Sequence, residues 1–189
     1  MKRITLASLI ICVVVAVSFM PSCKKSSSST PAAKPTLYDS LGGTTMVADP
    51  ATSSTAQIEK GRLLIRNIID STIFVIAADD SINVYFKTLL MEVGSGNLSG
   101  FEELSKNLTD FVCVGTGAKD YTYTGLSMPA AHNPATNPRI NGVVSDGAFT
   151  EFENDLVMGA GKAGVPSNTP ALGSVAKIVE SLRSSVVGQ

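Results

Sequence analysis

Four stretches of this 189-residue chain repeat apolar side chains at the three- and four-residue spacing of one helix face, which limits the fold strongly. In chain order they are residues 57–78, 101–114, 146–160 and 171–187. Each stretch also has a polar side, so each is predicted to be an amphipathic helix that packs on the others. The Gly-, Pro- and Asn-rich segments 44–54, 133–142 and 161–170 are predicted to be loops. Tyr121–Thr124 alternates but is too short to assign as a strand, so the sequence predicts an all-α domain.

The first 35 residues differ in composition from the rest of the chain. A short positive head, Met1–Arg3, precedes the almost wholly apolar run Ile4–Met20, and this order is typical of a secretory signal. The apolar run is slightly short for a transmembrane helix, which needs about 20 apolar residues. From Lys24 to Pro35 the serine-rich chain has no side chain able to build a core, so a flexible tether is predicted.

Cys23 closes the apolar run and suggests how the chain is anchored. Met20-Pro21-Ser22-Cys23 resembles the lipobox of bacterial lipoproteins, which implies that Cys23 is acylated and that the chain is exported and held at the cell envelope. Each buried acyl CH₂ contributes about 0.8 kcal/mol, so two or three acyl chains form a stable anchor. The alternative is a plain secretory signal with an incidental cysteine. The predicted organisation is a signal peptide at 1–22, a lipidated cysteine and tether at 23–35, and a folded domain at 36–189.

The composition excludes several functional classes. The formal net charge is -1 and the basic residues are scattered, so no nucleic-acid partner is expected. If Cys12 leaves with the signal and Cys23 takes lipid, Cys113 is the one cysteine left in the domain, where it is predicted to be a small core residue. The sequence also lacks the Gly-x-Ser-x-Gly, Walker and Gly-x-Gly-x-x-Gly motifs. The remaining candidate for chemistry is the single histidine, His132.

His132 is predicted to lie on a short helix. Ser127 is a suitable N-cap, and Pro129 fits the first helical turn. Met128 and His132 are four residues apart, so they share one helix face. A lone histidine is more often structural or exposed than a ligand, and its surroundings decide between these alternatives.

A series of short motifs precedes His132 in the sequence, and the last of them ends at this residue. In sequence order they are Leu37-Tyr38-Asp39-Ser40-Leu41-Gly42-Gly43, Ala78-Asp79-Asp80 leading to Tyr85-Phe86, Phe111 with Gly115-Thr116-Gly117, Tyr123-Thr124-Gly125-Leu126-Ser127-Met128, and Ala131-His132. This order resembles the group I truncated haemoglobins over most of residues 36–187. The resemblance implies a truncated globin-like, two-over-two helical sandwich with loop insertions, and a bound haem b (iron protoporphyrin IX).

The resemblance also implies roles for individual residues. His132 would be the axial ligand to the haem iron, and imidazole nitrogen is a good ligand for this metal. Phe86 would pack on the haem face near the pocket entrance, and Phe111 would line the ligand-binding (distal) side. Tyr123 and Met128 would touch the porphyrin, where aromatic and thioether side chains exclude water.

The chain departs from the family on the distal side. Many relatives carry a tyrosine that donates a hydrogen bond to bound oxygen, whereas Ile73 occupies that position here. The position that is often glutamine falls on Asn107, with Glu103 or Leu104 nearer the entrance. Insertions relative to the family are expected after Gly43, before Tyr123 and after His132.

Three functions follow as alternatives. The leading one is a haem globin that binds a diatomic ligand (O₂, NO or CO) at iron held by His132. NO dioxygenase-like or peroxidase-like reactivity would also need an electron donor, which the sequence does not identify. The second is a haem-free globin-like lipoprotein that acts as an interaction or structural module. The third is haem capture and transfer at the cell surface, which would use the same ligand with weaker retention.

Overall fold

The computed structural model describes residues 34–52 and 55–189, and its elements are eight α-helices, one 3₁₀ helix and two short strands within those ranges. The predicted signal peptide 1–22, the predicted lipidation residue Cys23 and the tether as far as residue 33 lie outside the described residues. Within the two described ranges, the structure contains no helix with the length and hydrophobicity needed to cross a bilayer.

Helices occur along the whole described part of the chain and are separated by turns and loops. They are α1 (Leu37–Ser40), α2 (Lys60–Ala78), the 3₁₀ helix (Asn83–Phe86), α3 (Lys87–Gly94), α4 (Ser99–Gly115), α5 (Met128–His132), α6 (Asp146–Lys162), α7 (Pro170–Glu180) and α8 (Arg183–Val186). The strands β1 (Met46–Ala48) and β2 (Gln57–Glu59) pair antiparallel, with Val47 opposite Ile58.

The core forms where α2 packs between α4 and α6, and α7 completes the second layer against α6. The isoleucine stripe of α2 causes this arrangement, because its members face inward and are almost fully buried, as Ile65 shows with 1% exposure. Gly159 of α6 permits a close approach to α2, since a Cβ there would lie 2.6 Å from the Thr72 backbone nitrogen. The predominantly helical architecture predicted from the sequence is confirmed.

Polar contacts join α2 to α4 along one side. Arg62 Nη1 lies 2.6 Å from Asp110 Oδ1, and Ser105 Oγ donates to Asp70 Oδ1 at 2.5 Å. Burial opposes ionisation of Asp110, but hydrogen bonds from Lys106 and Arg62 hold its pKa below the ordinary value. These contacts fix how far α4 can slide along α2.

Cys113 is completely buried in the hydrophobic core, as predicted. Burial raises the pKa of its thiol to about 11, so it stays protonated and behaves as a small apolar residue.

The region after Gly43 differs from the prediction. The segment expected to be a loop contains β1, and the helix expected from residue 57 begins at Lys60, because residues 57–59 form β2. Tyr38 explains the strand's position, since its hydroxyl donates to Glu59 at 2.5 Å inside the protein. The hairpin therefore occupies the place of the first predicted insertion.

Two further helical details differ from the prediction. Helix α3 was not predicted, because its eight residues are too few for a strong periodic signal. The last predicted helix is broken at Ser181 and Leu182, where the Leu182 N–H donates to the Val179 carbonyl and tightens the turn. The break turns Leu182 and Val186 toward the interior.

Candidate functional site

An apolar inner cavity of about 160 Å³ lies between α2, α4, α6 and α7. Aliphatic and phenylalanine side chains make most of its wall, and the polar rings among its lining residues are those of Tyr85 and His132. Ile73, placed on the distal side by the sequence analysis, belongs to this wall and is 7% exposed. Such a wall excludes water and suits an apolar ligand.

A larger outer cavity of about 570 Å³ adjoins the inner one. It lies against the polar side of α4, residues 123–126 and the segment from α5 to Ile140. Five predicted site residues form part of the wall common to both cavities: Phe86, Leu104, Phe111, Met128 and His132. The structure therefore brings together residues that lie far apart in the sequence. Leu89, Leu108 and Ile140 share this wall and were missed, because they look like ordinary core residues in the sequence.

His132 ends the short helix α5, which packs against α8. Its Nδ1 lies 2.8 Å from the Met128 carbonyl oxygen. Because a carbonyl oxygen can only accept, Nδ1 carries the proton in this hydrogen bond, and Nε2 keeps its lone pair. Nε2 has no hydrogen-bond partner among the described residues. Burial lowers the pKa of His132, although the bond to Met128 opposes the shift, so the ring is neutral near pH 7.

Ser127 occupies the N-cap position of α5, as predicted, but its side chain makes no capping hydrogen bond. Pro129 lies in the first turn, as predicted. The helix is instead secured from its C-terminal end, where Asn137 Nδ2 donates to the Ala131 carbonyl at 2.7 Å and Thr136 Oγ1 donates to the Ala130 carbonyl.

Tyr123 and Phe111 form an aromatic pair beside the outer cavity, edge to face with ring centroids 5.5 Å apart. The Tyr123 hydroxyl donates to the Leu126 carbonyl at 2.5 Å. A Cβ at Gly125 would lie 2.7 Å from the Tyr123 ring carbon Cζ, so a side chain at this position would displace the Tyr123 ring. Burial raises the pKa of Tyr123, which therefore stays protonated.

The predicted distal residues are divided between the two cavities. Ile73 lines only the inner cavity, Asn107 only the outer one, and Leu104 lies in the shared wall. The inner cavity therefore receives no hydrogen-bond donor from these three positions, and the amide of Asn107 is the polar group that they contribute.

Arg139 also lines the outer cavity and was missed by the sequence analysis. Its Nε lies 3.0 Å from Glu92 Oε2 on α3, and its Nη1 lies 2.8 Å from Glu103 Oε2 on α4. These ion pairs could not be predicted from the sequence, because Glu92 and Glu103 lie 47 and 36 residues from Arg139 in the chain. The charged residues of the outer wall are Glu103, Lys106 and Arg139.

These features fit a haem group. An apolar macrocycle needs an apolar wall, which the inner cavity and the shared wall supply, and iron needs a neutral imidazole with a free nitrogen. His132 Nε2 meets that requirement at the wall shared by the cavities. The carboxylate-bearing edge of haem needs water or cations, and the outer cavity provides both polar and cationic side chains.

Comparisons with known proteins address the fold. No family model matches the sequence, and no curated protein matches it. Among solved structures, the chain is similar to the truncated haemoglobin of Tetrahymena pyriformis, a tyrosine-to-phenylalanine mutant in its Fe(III) form. The TM-score is 0.57 and the identity 19%, over 82% of this chain and 100% of that chain. The chain therefore has the fold of a truncated globin.

Proposed function

We propose that this chain is a haem-binding globin of the group I truncated haemoglobin type. His132 Nε2 would hold the iron of haem b, and the bound haem would supply the site for a diatomic ligand (O₂, NO or CO). One observation carries the proposal: the proton of His132 is engaged by the Met128 carbonyl, while Nε2 has no partner among the described residues and lies at the wall of an apolar cavity.

The residues around His132 would hold the group and exclude water. Haem, when bound, supplies an iron with an open position for a gas ligand. The hydrogen bond from Nδ1 to Met128 fixes the ring orientation and raises the basicity of Nε2. Phe86, Phe111 and Leu104 would cover the macrocycle, and Tyr123 would pack at its outer part.

The predicted distal residues offer few hydrogen-bond donors to a bound diatomic ligand. Ile73 is apolar, and Asn107 is the amide donor available among the predicted distal positions. A single neutral hydrogen bond is worth about 1 kcal/mol, so bound O₂ would be held less firmly than in a site with several donors. NO dioxygenase-like or peroxidase-like turnover would need an electron donor in addition to these residues.

The proposal includes an exported, lipid-anchored position, which rests on the sequence of residues 1–23. Expression in bacteria with a labelled fatty acid tests it. The parent chain should take up label, and Cys23→Ser should not; a parent chain without label would contradict the anchor.

Titration of the full chain with ferric haem tests the cofactor directly. We expect a Soret band that saturates at one haem per chain, shifts on reduction and shifts again with CO. A chain that develops no Soret band even with excess haem would contradict the proposal. That result would favour the haem-free globin-like module instead.

A further inference from the structure

The loop after His132 carries a cationic side chain to the outer cavity. Arg139 lies in the segment predicted to be the third insertion, where the Asn137 side chain accepts a hydrogen bond from the Arg139 N–H at 3.1 Å. Asn137 is itself bound to α5 through the Ala131 carbonyl. The position of Arg139 is thus set by the same short helix that presents His132.

The other end of this loop is also fixed. The Asn141 side chain accepts from the Thr88 N–H at 2.9 Å and donates to Thr88 Oγ1 at 3.0 Å. The Asn141 N–H donates to the Tyr85 carbonyl at 2.8 Å. The loop that carries Arg139 is therefore hydrogen-bonded to α5 at one end and to the start of α3 at the other. These bonds fix the backbone from which the guanidinium extends.

The guanidinium of Arg139 still has donors to offer. Nε and Nη1 bind Glu92 and Glu103, whereas Nη2 has no acceptor among the described residues. Arginine presents five N–H groups in a planar fork that matches a carboxylate. The N–H groups of Nη2 therefore remain for an anionic group that enters the outer cavity.

We infer that Arg139 binds a propionate carboxylate of haem, as a specificity residue supplied by the insertion loop; this inference rests on the proposed function. The haem edge with the two propionates would face the outer cavity, because that cavity supplies the charged side chains and the inner one supplies none. Glu103 lines the same cavity and pairs with Arg139, so it competes with the propionate for the guanidinium.

A comparison of haem b with its dimethyl ester tests this inference, because the ester keeps the macrocycle and iron but lacks the carboxylates. The full chain and Arg139→Gln are each loaded with either compound, and release is measured with excess apomyoglobin as acceptor. We expect Arg139→Gln to release haem b about fivefold faster, as for a half-exposed ion pair worth about 1 kcal/mol. The ester should leave the parent and the variant at the same rate.

Two further variants sharpen the test. Glu103→Gln should slow the release of haem b and leave ester release unchanged, because a competing carboxylate is removed. Arg66→Gln is the matched control, since Arg66 also pairs with a carboxylate (Asp49, 2.6 Å) but lines neither cavity. It should alter neither rate.

These measurements distinguish a failure of the Arg139 assignment from a failure of haem binding itself. Equal acceleration for haem b and the ester in Arg139→Gln would mean that Arg139 only closes the loop, and the inference would be wrong. Unchanged release of haem b would overturn it as well. A parent chain that binds neither compound would instead remove the proposed function.

Discussion

In the proposed function, the Asn107 side-chain amide would donate a hydrogen bond to the bound diatomic ligand. Its amide lines the outer cavity on α4, and Ile73 offers no donor on the other helix. We expect Asn107→Ala to raise the O₂ dissociation rate about fivefold, the effect of one hydrogen bond worth about 1 kcal/mol. The CO dissociation rate should change little, because bound CO is a weak acceptor. Flash photolysis and stopped flow measure both; equal changes for the two gases would contradict the role.

His132 also makes stability depend on pH in the absence of haem. Its pKa is lowered in the folded protein by burial, so the unfolded chain binds a proton more readily. The stabilisation is fully present above the ordinary histidine pKa of about 6.5 and is lost as the pH falls toward the lowered value.

His132→Gln removes this titration and provides the measurement. The parent should lose free energy of unfolding relative to the variant when urea denaturation is compared at about pH 7.5 and about pH 5. A difference between parent and variant that does not change with pH would show that His132 titrates normally in the fold.

At the scale of the elements, the contact between α2 and α6 depends on Gly159. A methyl group there would lie 2.6 Å from the backbone nitrogen of Thr72, which cannot move without separating the helices. We expect Gly159→Ala to destabilise the protein by about 1–3 kcal/mol, the usual cost of overpacking.

Gly161 is the matched control on the same helix. A Cβ there meets nothing within 4 Å, so Gly161→Ala should be neutral or stabilise the protein by up to about 1 kcal/mol through helix propensity. Thermal and urea unfolding measure both variants. Equal effects at the two glycines would contradict the close approach at Gly159.

Local periodicity explains which elements were predictable from the sequence. The helices α4 and α6 have strong apolar spacing and were predicted within two residues of their observed ends. The hairpin was not predictable, because β1 and β2 have three residues each and are placed by the nonlocal bond between Tyr38 and Glu59. A motif and its uniqueness marked His132 as a candidate in the sequence, whereas Arg139 reaches the outer cavity through tertiary ion pairs that the sequence does not show.

At the scale of the whole molecule, the fold brings a polar and an apolar cavity together at one histidine. The apolar side comes from two helical layers, and the polar side comes from α4 and the segments that flank α5. A haem placed across this boundary would have its apolar part covered and its charged edge in the polar cavity. In the function that we propose, His132 holds the iron at this boundary.

Absorption spectroscopy of the reduced, CO-treated full chain beside His132→Gly tests that claim most directly. We expect the variant to lose the parent's Soret band and haem affinity, and added imidazole to restore the band by occupying the vacated ligand position. A variant that keeps the parent's spectrum and affinity without imidazole would show that another group binds the iron or that haem binds elsewhere.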